Sequence, residues 1–470
     1  MNFKKLYENW KRQKIIRLLT TANPLTIEQY GANLLLPAFR RAAKKMPAYT
    51  ERLKQKGINP RAIKTLEDFK NRVPIFGKKD FFVNTAIDKL CINGDLSSMK
   101  LTLSSSGYSG TYSFGINTEY NQKNIAFSID TALEYVFKIS KKKTFLVNCL
   151  PMGVKVPTTL QISETSVRAD MALAMIKKFS PHFEQVLIVS DPHFLKKLVE
   201  EGIEEGVNWK KMNVNLILGE DWFSESFRMY LADLLGHDFN YPEKGIIGAT
   251  LGIAELDLNL FHETIDTIRI RQAAQNDPKL RQKLFGPDVK ISPIIFHYYP
   301  HRMYLEAGDN NELIFSMLSS HFLIPLIRYN SQDQGRIFSY NTIKALLKDA
   351  GYAQLIPELK LPLVAVSGRK DRCLALAGKN VSPEEIKEGL YSDFEVSSLT
   401  TGYFMLTNKE NKGKLEIQLK KGICQTQAIK TKFEKAALKF TDVYLEVILY
   451  PYQDFPYGME VDYERKFKNI

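Results

Sequence analysis

Leu103–Gly110 reads Leu-Ser-Ser-Ser-Gly-Tyr-Ser-Gly and follows an apolar, strand-like start. Glycines let backbone N–H groups approach an anion closely, and serine hydroxyls add donors. Ser105, Ser106, Gly107, Ser109 and Gly110 could therefore wrap phosphate oxygens. No Gly-Lys-Ser/Thr follows, so this is not a Walker loop. A second stretch, Leu216–Trp222, is an apolar strand running into Gly219-Glu220-Asp221-Trp222. A third, Gly245–Glu255, ends in a turn that would present Glu255 at the carboxyl edge of a sheet, where ligands bind in open α/β folds. A carboxylate there suits magnesium, a hard cation that takes oxygen ligands. In Leu326–Asp333, Asp333 could accept both hydroxyls of a ribose. Gly368-Arg369-Lys370-Asp371 concentrates charge between two apolar strands. The C-terminal tail carries Lys466 and Lys468. Each stretch also has an ordinary reading: a flexible surface loop, a surface Glu after a turn, an exposed Asp in a polar loop, a solvated hairpin, a solvated basic end.

The elements that must position these residues are legible from periodicity. Residues 1 to about 85 read as helices. Beyond them, strand-like runs (Thr144–Leu150, Val186–Ser190, Val214–Leu218, Gly245–Leu251) alternate with helix-like runs (His193–Glu205, Ser224–Leu235). That alternation predicts a parallel sheet with helices on its faces. Ile291–His297, Arg302–Glu306 and Glu312–Leu318 read as successive strands. After Lys370 a compact α+β unit begins. Ser382, Pro383 and Glu385 start its helix 383–391, as N-cap, first helical position and third position. A hairpin 402–419, a helix 426–438 and a strand 442–449 follow. The predicted architecture is a large α/β domain over 1–367 with a helical lead-in, a hinge at 368–371, and a small mobile α+β lid over 372–470.

Composition narrows the function classes. Hydrophobic residues make up 44% and charged residues 25%, ordinary for a globular chain. No apolar run approaches the roughly 20 residues a membrane span needs. The charged N-terminus lacks a signal-peptide core, so a cytoplasmic location is expected. Cys91, Cys149, Cys373 and Cys424 are scattered, which predicts neither a zinc site nor a disulfide framework; each is expected to be a small buried or half-buried residue. The net charge is +13. It fits nucleic acid, an anionic surface or a polyanionic small molecule, but the basic residues are dispersed and no nucleic-acid motif is present, so no nucleic-acid partner is expected.

Taken in order, these stretches resemble the adenylate-forming (acyl/aryl-CoA synthetase) superfamily, and most closely its phenylacetate–CoA ligase-like branch. The resemblance spans nearly the whole chain and includes Phe39–Val73, PIFGKKDF, LILGEDW and NELIFSMLSSHFLIPLIRY. It implies that Ser105–Gly110 is the phosphate loop, with Gly219, Glu220, Asp333 and Arg369 also at the nucleotide. Glu255 would hold Mg2+, and Gly368 and Asp371 would form the hinge. Gly378 would line the CoA channel, and Lys466 would be the adenylation lysine. Three departures stand out. Gly110-Thr111-Tyr112 replaces Gly-Lys-Pro and loses a cation, Leu251 replaces a Tyr, and Ala254 replaces Ser/Thr.

The activity implied is ATP-dependent activation of a small-molecule carboxylic acid as an acyl-adenylate, then transfer to a thiol after the lid rotates. CoA is the default acceptor. An acyl-carrier protein or a protein cysteine, as in acyl-protein synthetases, stays open, as do a homodimer and a degenerate nucleotide-binding relative without catalysis. Asn148–Val154 and Ala249–Leu251 are expected along the acid pocket.

Overall fold

The computed structural model describes residues 3–105, 110–238, 245–369, 373–376, 378–409, 412–457, 467 and 469–470. Ser106, Gly107, Ser109, Asp371, Lys466 and Lys468 lie outside them.

The strands Thr144–Asn148, Gln185–Ser190 and Val214–Leu218 are buried along almost their whole length, as near-continuous apolar runs require when helices cover both faces. They pair in parallel with one another, and Val214–Leu218 pairs in parallel with Ile247–Ile253. Side-chain caps begin three of the flanking helices: Thr118 for Glu119–Phe137, which precedes these strands, Asp191 for Pro192–Glu204 and Ser224 for Glu225–Leu235. Ile247–Ile253 is the junction strand. Its other neighbour, Asp257–His262, runs antiparallel, and the antiparallel half continues through Ile294–Tyr298, Leu363–Arg369, Tyr329–Phe338, Glu312–Met317 and Met303–Ala307. Among the described residues the whole is a 12-stranded mixed sheet with flanking helices.

The N-terminal part of the chain holds the helices Phe3–Thr21, Pro24–Lys45, Pro47–Gln55 and Leu66–Arg72. Phe3–Thr21 is pinned to Glu119–Phe137 by a buried ion pair, Arg12 to Asp130 at 2.9 Å. Asp130 also accepts hydrogen bonds from Thr158 and Thr159, which fastens the loop after Thr144–Asn148 against the same helix.

Residues after Leu374 build a three-stranded sheet, Thr400–Lys409, Lys412–Leu419 and Glu446–Tyr450, with its own apolar core around Ile386, Phe404, Leu415, Ile417 and Phe433. The helix over Pro383–Tyr391 starts with the capping box read from Ser382 and Glu385. Three details differ from expectation. Leu363–Arg369 and Leu374–Leu376 belong to different sheets, so these two strands do not pair with each other as a hairpin. The last helix runs to Thr441, held by buried Phe433, Ala437 and Thr441, and the last strand therefore starts at Glu446. Cys91 and Cys149 are buried, but Cys373 and Cys424 are exposed.

Candidate active site

A cavity of about 590 Å³ opens where the sheet changes from parallel to antiparallel. Crevices beyond the carboxyl ends of strands are where α/β sheets take ligands. Gly219 and Glu220 reach it from the end of Val214–Leu218. The Gly219 amide donates to the Ser190 carbonyl at 3.0 Å, and Glu220 takes a left-handed φ of 65° to turn the chain out of the strand. Asp221, the next residue, accepts from Lys387 at 2.7 Å.

Glu255 sits in the tight turn between Ile247–Ile253 and Asp257–His262 and also lines the cavity. It is only 8% exposed, and the Tyr329 hydroxyl donates to its Oε1 at 2.6 Å. Burial, then the Glu255 charge, hold the Tyr329 phenol far above its ordinary pKa, so it remains a donor. The strand Phe114–Asn117, which closes the serine loop, crosses directly over this turn. A Cβ on Gly115 would lie 1.9 Å from the Ala254 carbonyl oxygen, so only glycine allows the approach.

Asp333 is on a strand, not in a loop: it faces Arg369 in register across Tyr329–Phe338 and Leu363–Arg369. Both line the cavity with Gly368. Arg369 Nη2 donates to Gln332 Oε1 at 2.6 Å. Gly368 has φ 99°, a conformation side chains disfavour, and a Cβ there would meet Glu384 Oε1 at 3.0 Å.

Ser105 lines the same cavity. Its Oγ accepts from Lys78 Nζ at 2.9 Å and from the Ser113 amide at 3.0 Å. Lys78 also lines the cavity. Sequence reasoning missed it: the loop carries Thr111 where a lysine is expected, and an ammonium arrives instead from 27 residues upstream. The sequence signal for it is the stretch PIFGKKDF, in which Lys78 is the first of two adjacent lysines.

Ser105, Gly219, Glu220 and Glu255 thus meet Asp333, Gly368 and Arg369 at one cavity. Gly110 and Gly378 do not line it; Gly378 forms the φ 76° turn of the small hairpin Leu374–Leu376 and Lys379–Val381. Leu150, Met152, Val154, Ala249 and Leu251 from the expected acid pocket do line it, whereas Asn148 and Cys149 do not. Among the described residues, no group of three or more His, Cys, Asp or Glu is arranged to hold a metal ion. A single buried carboxylate such as Glu255 nevertheless fits magnesium, which takes one or two carboxylates plus phosphate oxygens and water.

The C-terminal unit closes over one side of this region. Lys387 bridges to Asp221 and to the Trp222 carbonyl, Glu388 accepts from Ser226, and Tyr403 stacks on His193 at 4.6 Å. Lys196, buried and ion-paired to Glu200 at 2.6 Å, donates to the Thr400 carbonyl at 2.8 Å. Phe467, next to Lys466, packs edge-on against Tyr403. Among the described residues, no helix is long and apolar enough to cross a membrane.

No family model matches the chain, and no curated protein matches it in sequence. Solved structures do match in fold. One is 2-hydroxyisobutyryl-CoA ligase in the postadenylation state with R3-HIB-AMP, at TM-score 0.70 and 13% identity, covering 96% of this chain and 91% of that one. Another is the same ligase in an open conformation with 2-HIB-AMP and CoA, at TM-score 0.56 and 14% identity, covering 94% and 90%. The chain therefore has the fold of the adenylate-forming acyl-CoA ligases.

Proposed function

We propose that this chain is an ATP-dependent acid–thiol ligase that makes an acyl-adenylate and passes the acyl group to a thiol, with CoA as acceptor. The observation that carries this reading is the convergence of Ser105, Glu220, Glu255, Asp333 and Arg369, from five separate segments, on one cavity. The acyl-adenylate and CoA complexes of the structural neighbours support it.

In the first half-reaction a carboxylate oxygen of the acid attacks the α-phosphorus of ATP. An acyl–phosphate bond forms and pyrophosphate leaves. In-line attack needs positioning and charge neutralisation more than covalent chemistry. Asp333 would accept the ribose hydroxyls beside Arg369. Ser105 and Lys78 would meet the outgoing phosphates, Lys78 standing in for the missing loop lysine. Bound magnesium would neutralise phosphate charge, held by Glu255. Lys466 would bridge the acid carboxylate and the α-phosphate. In the second half-reaction a thiolate attacks the acyl carbon and AMP leaves.

The proposed division is 1–367, hinge 368–371, and 372–470. The separate C-terminal core and the left-handed φ of Gly368 support it. The higher TM-score against the postadenylation state than against the open conformation, at similar coverage, supports a lid pose nearer to that postadenylation state.

Pyrophosphate exchange tests the reading: it should occur with some carboxylic acid and require magnesium. Lys466→Ala should abolish exchange yet still form thioester from supplied acyl-adenylate. The same pattern at Lys468 would shift the role by two residues. Tight ATP binding by calorimetry with no exchange on any acid would replace the ligase reading with a non-catalytic nucleotide binder. Acyl transfer to a carrier protein or a protein cysteine, and not to CoA, would correct the acceptor.

A further inference from the structure

The cavity continues from the nucleotide end into the layer between the helix Glu119–Phe137 and the parallel strands. On the helix, Ile129, Ala132, Leu133, Val136 and Phe137 line it, one face at helical spacing. On the sheet side, Leu146, Val189, Ile217 and Ile246 line it, with Ile268 beyond. Val154 and Val156 form the outer wall, on the loop that Asp130 fastens through Thr158 and Thr159. This wall is aliphatic apart from Phe137 and the exposed Lys155 between the two valines. The polar lining groups on the sheet gather on the antiparallel strand and just beyond it: Asn259, His262 and Glu263. Glu263 is held by the Arg228 guanidinium at 2.8 Å.

Two rulers give its length. Thr250 marks the nucleotide end, because a Cβ on Gly219 would touch its Cγ2 at 3.7 Å. From Thr250 to Ile246 the strand advances about 13 Å, at roughly 3.3 Å per residue. From Ile129 to Phe137 the helix advances about 12 Å, at roughly 1.5 Å per residue. Carbons bonded at about 1.5 Å zigzag forward by roughly 1.3 Å each, so about ten fit this length. The floor is also bare at its middle. Gly248 faces Ile268, whose Cδ1 would be 4.0 Å from an added Cβ, and nothing else comes as near.

We infer that the acid activated by this chain is a straight aliphatic acid of medium length, about eight to twelve carbons, with its tail lying over Gly248 between the helix Glu119–Phe137 and the sheet. The inference rests on the adenylation reading and names the substrate class for that site. An aryl acid would fill only the near half of the space. The helix and parallel-strand walls, being aliphatic, offer a charged or hydroxylated tail no hydrogen-bond partner.

Pyrophosphate exchange over straight-chain acids from two to eighteen carbons, with phenylacetate and benzoate, tests this. In the wild-type protein, kcat/KM should rise about three- to fourfold per methylene up to the optimum, peak between eight and twelve carbons, and exceed that of either aryl acid at least tenfold. Gly248→Leu should lower the ratio of kcat/KM for decanoate over butyrate at least tenfold, and Gly248→Ala should lower it by less. An optimum on an aryl acid or below six carbons would overturn the inference while leaving adenylation standing. If no acid supports exchange, the adenylation reading fails by itself. Calorimetric titration of decanoate and phenylacetate in the presence of AMP then decides the chain-length claim, and weaker binding of decanoate overturns it.

Discussion

Lys78 Nζ lies 2.9 Å from Ser105 Oγ and so delivers an ammonium to the start of a serine loop that lacks its own lysine. Such a charge contributes where negative charge builds up on the leaving phosphates. Lys78→Met should lower pyrophosphate exchange by about 100- to 1,000-fold, in the range seen when one charge-stabilising donor is lost. Lys78→Arg should retain part of the rate. The melting temperatures of both variants should stay close to wild type. Exchange at the wild-type rate in Lys78→Met would remove Lys78 from the phosphate site.

Gly115 holds the serine-loop hairpin against the Glu255 turn, with no room for a Cβ beside the Ala254 carbonyl. Gly115→Val forces the hairpin or the turn to move. Overpacking of this kind costs about 1–3 kcal/mol. Because the displaced parts are Ser105 and Glu255, exchange should fall further than stability alone explains. Urea unfolding and exchange rates on the same preparation check this. A stable Gly115→Val protein with normal exchange would show that the approach is not needed.

The features readable from sequence are those written locally. The capping box of Ser382 and Glu385 lies within four residues, and the structure has both of its hydrogen bonds. The buried strands Thr144–Asn148 and Val214–Leu218 are apolar runs bounded by polar residues. Glu255 was legible because an apolar strand runs into a turn just ahead of it. Lys78 was not, since its partner is 27 residues away and a lysine in a Lys-Lys-Asp run looks like solvated surface. Asp333, a candidate for the ribose, also has an ordinary reading as an exposed polar-loop residue, because Asn330, Ser331 and Gln332 mask the strand. Its identity as a strand residue depends on pairing with Leu363–Arg369, which periodicity does not encode. The aliphatic half of the cavity was hidden for a related reason. Its helix and strands are each ordinary core elements, and the space between them exists only after packing.

His262 and His297 give the fold a pH dependence. Burial is the main cause of both shifts: it lowers His262 to about 4, aided by the Arg302 charge, and His297 to about 3, aided by His262. Their rings lie 6.3 Å apart, and His262 also stacks on Tyr299. The unfolded chain takes up these protons near the ordinary value of about 6.5. Stability is therefore fully present above that value and is lost as pH falls toward the folded values. Between pH 7 and 5 each histidine contributes a loss on the order of 2 kcal/mol. His262→Phe should reduce the difference in unfolding free energy between those pH values by about 1–2 kcal/mol. Urea titrations of the wild type and variant at both pH values test this, and an unchanged difference would assign the acid sensitivity to other groups.

Lys387 and Asp221 join the C-terminal unit to the cavity. Lys387 is on the helix Pro383–Tyr391, and its ammonium lies 2.7 Å from a carboxylate oxygen in the Gly-Glu-Asp-Trp turn. The pair is largely shielded, with side-chain exposures of 8% and 19%, so it is screened less than a surface pair. Under the proposed mechanism this contact exists in the adenylating pose and must break when the lid rotates for thiol transfer. Removing it should therefore disfavour only the first pose. Lys387→Ala should slow pyrophosphate exchange about tenfold, the effect of shifting a two-state equilibrium by roughly 1.4 kcal/mol. Thioester formation from supplied acyl-adenylate should be unchanged or faster. Asp221→Asn should move both rates in the same directions, and combining the two substitutions should cost less than the sum of the separate effects, as coupled partners do. Equal slowing of both half-reactions would mean that the pair shapes the cavity itself and does not choose between poses of the lid.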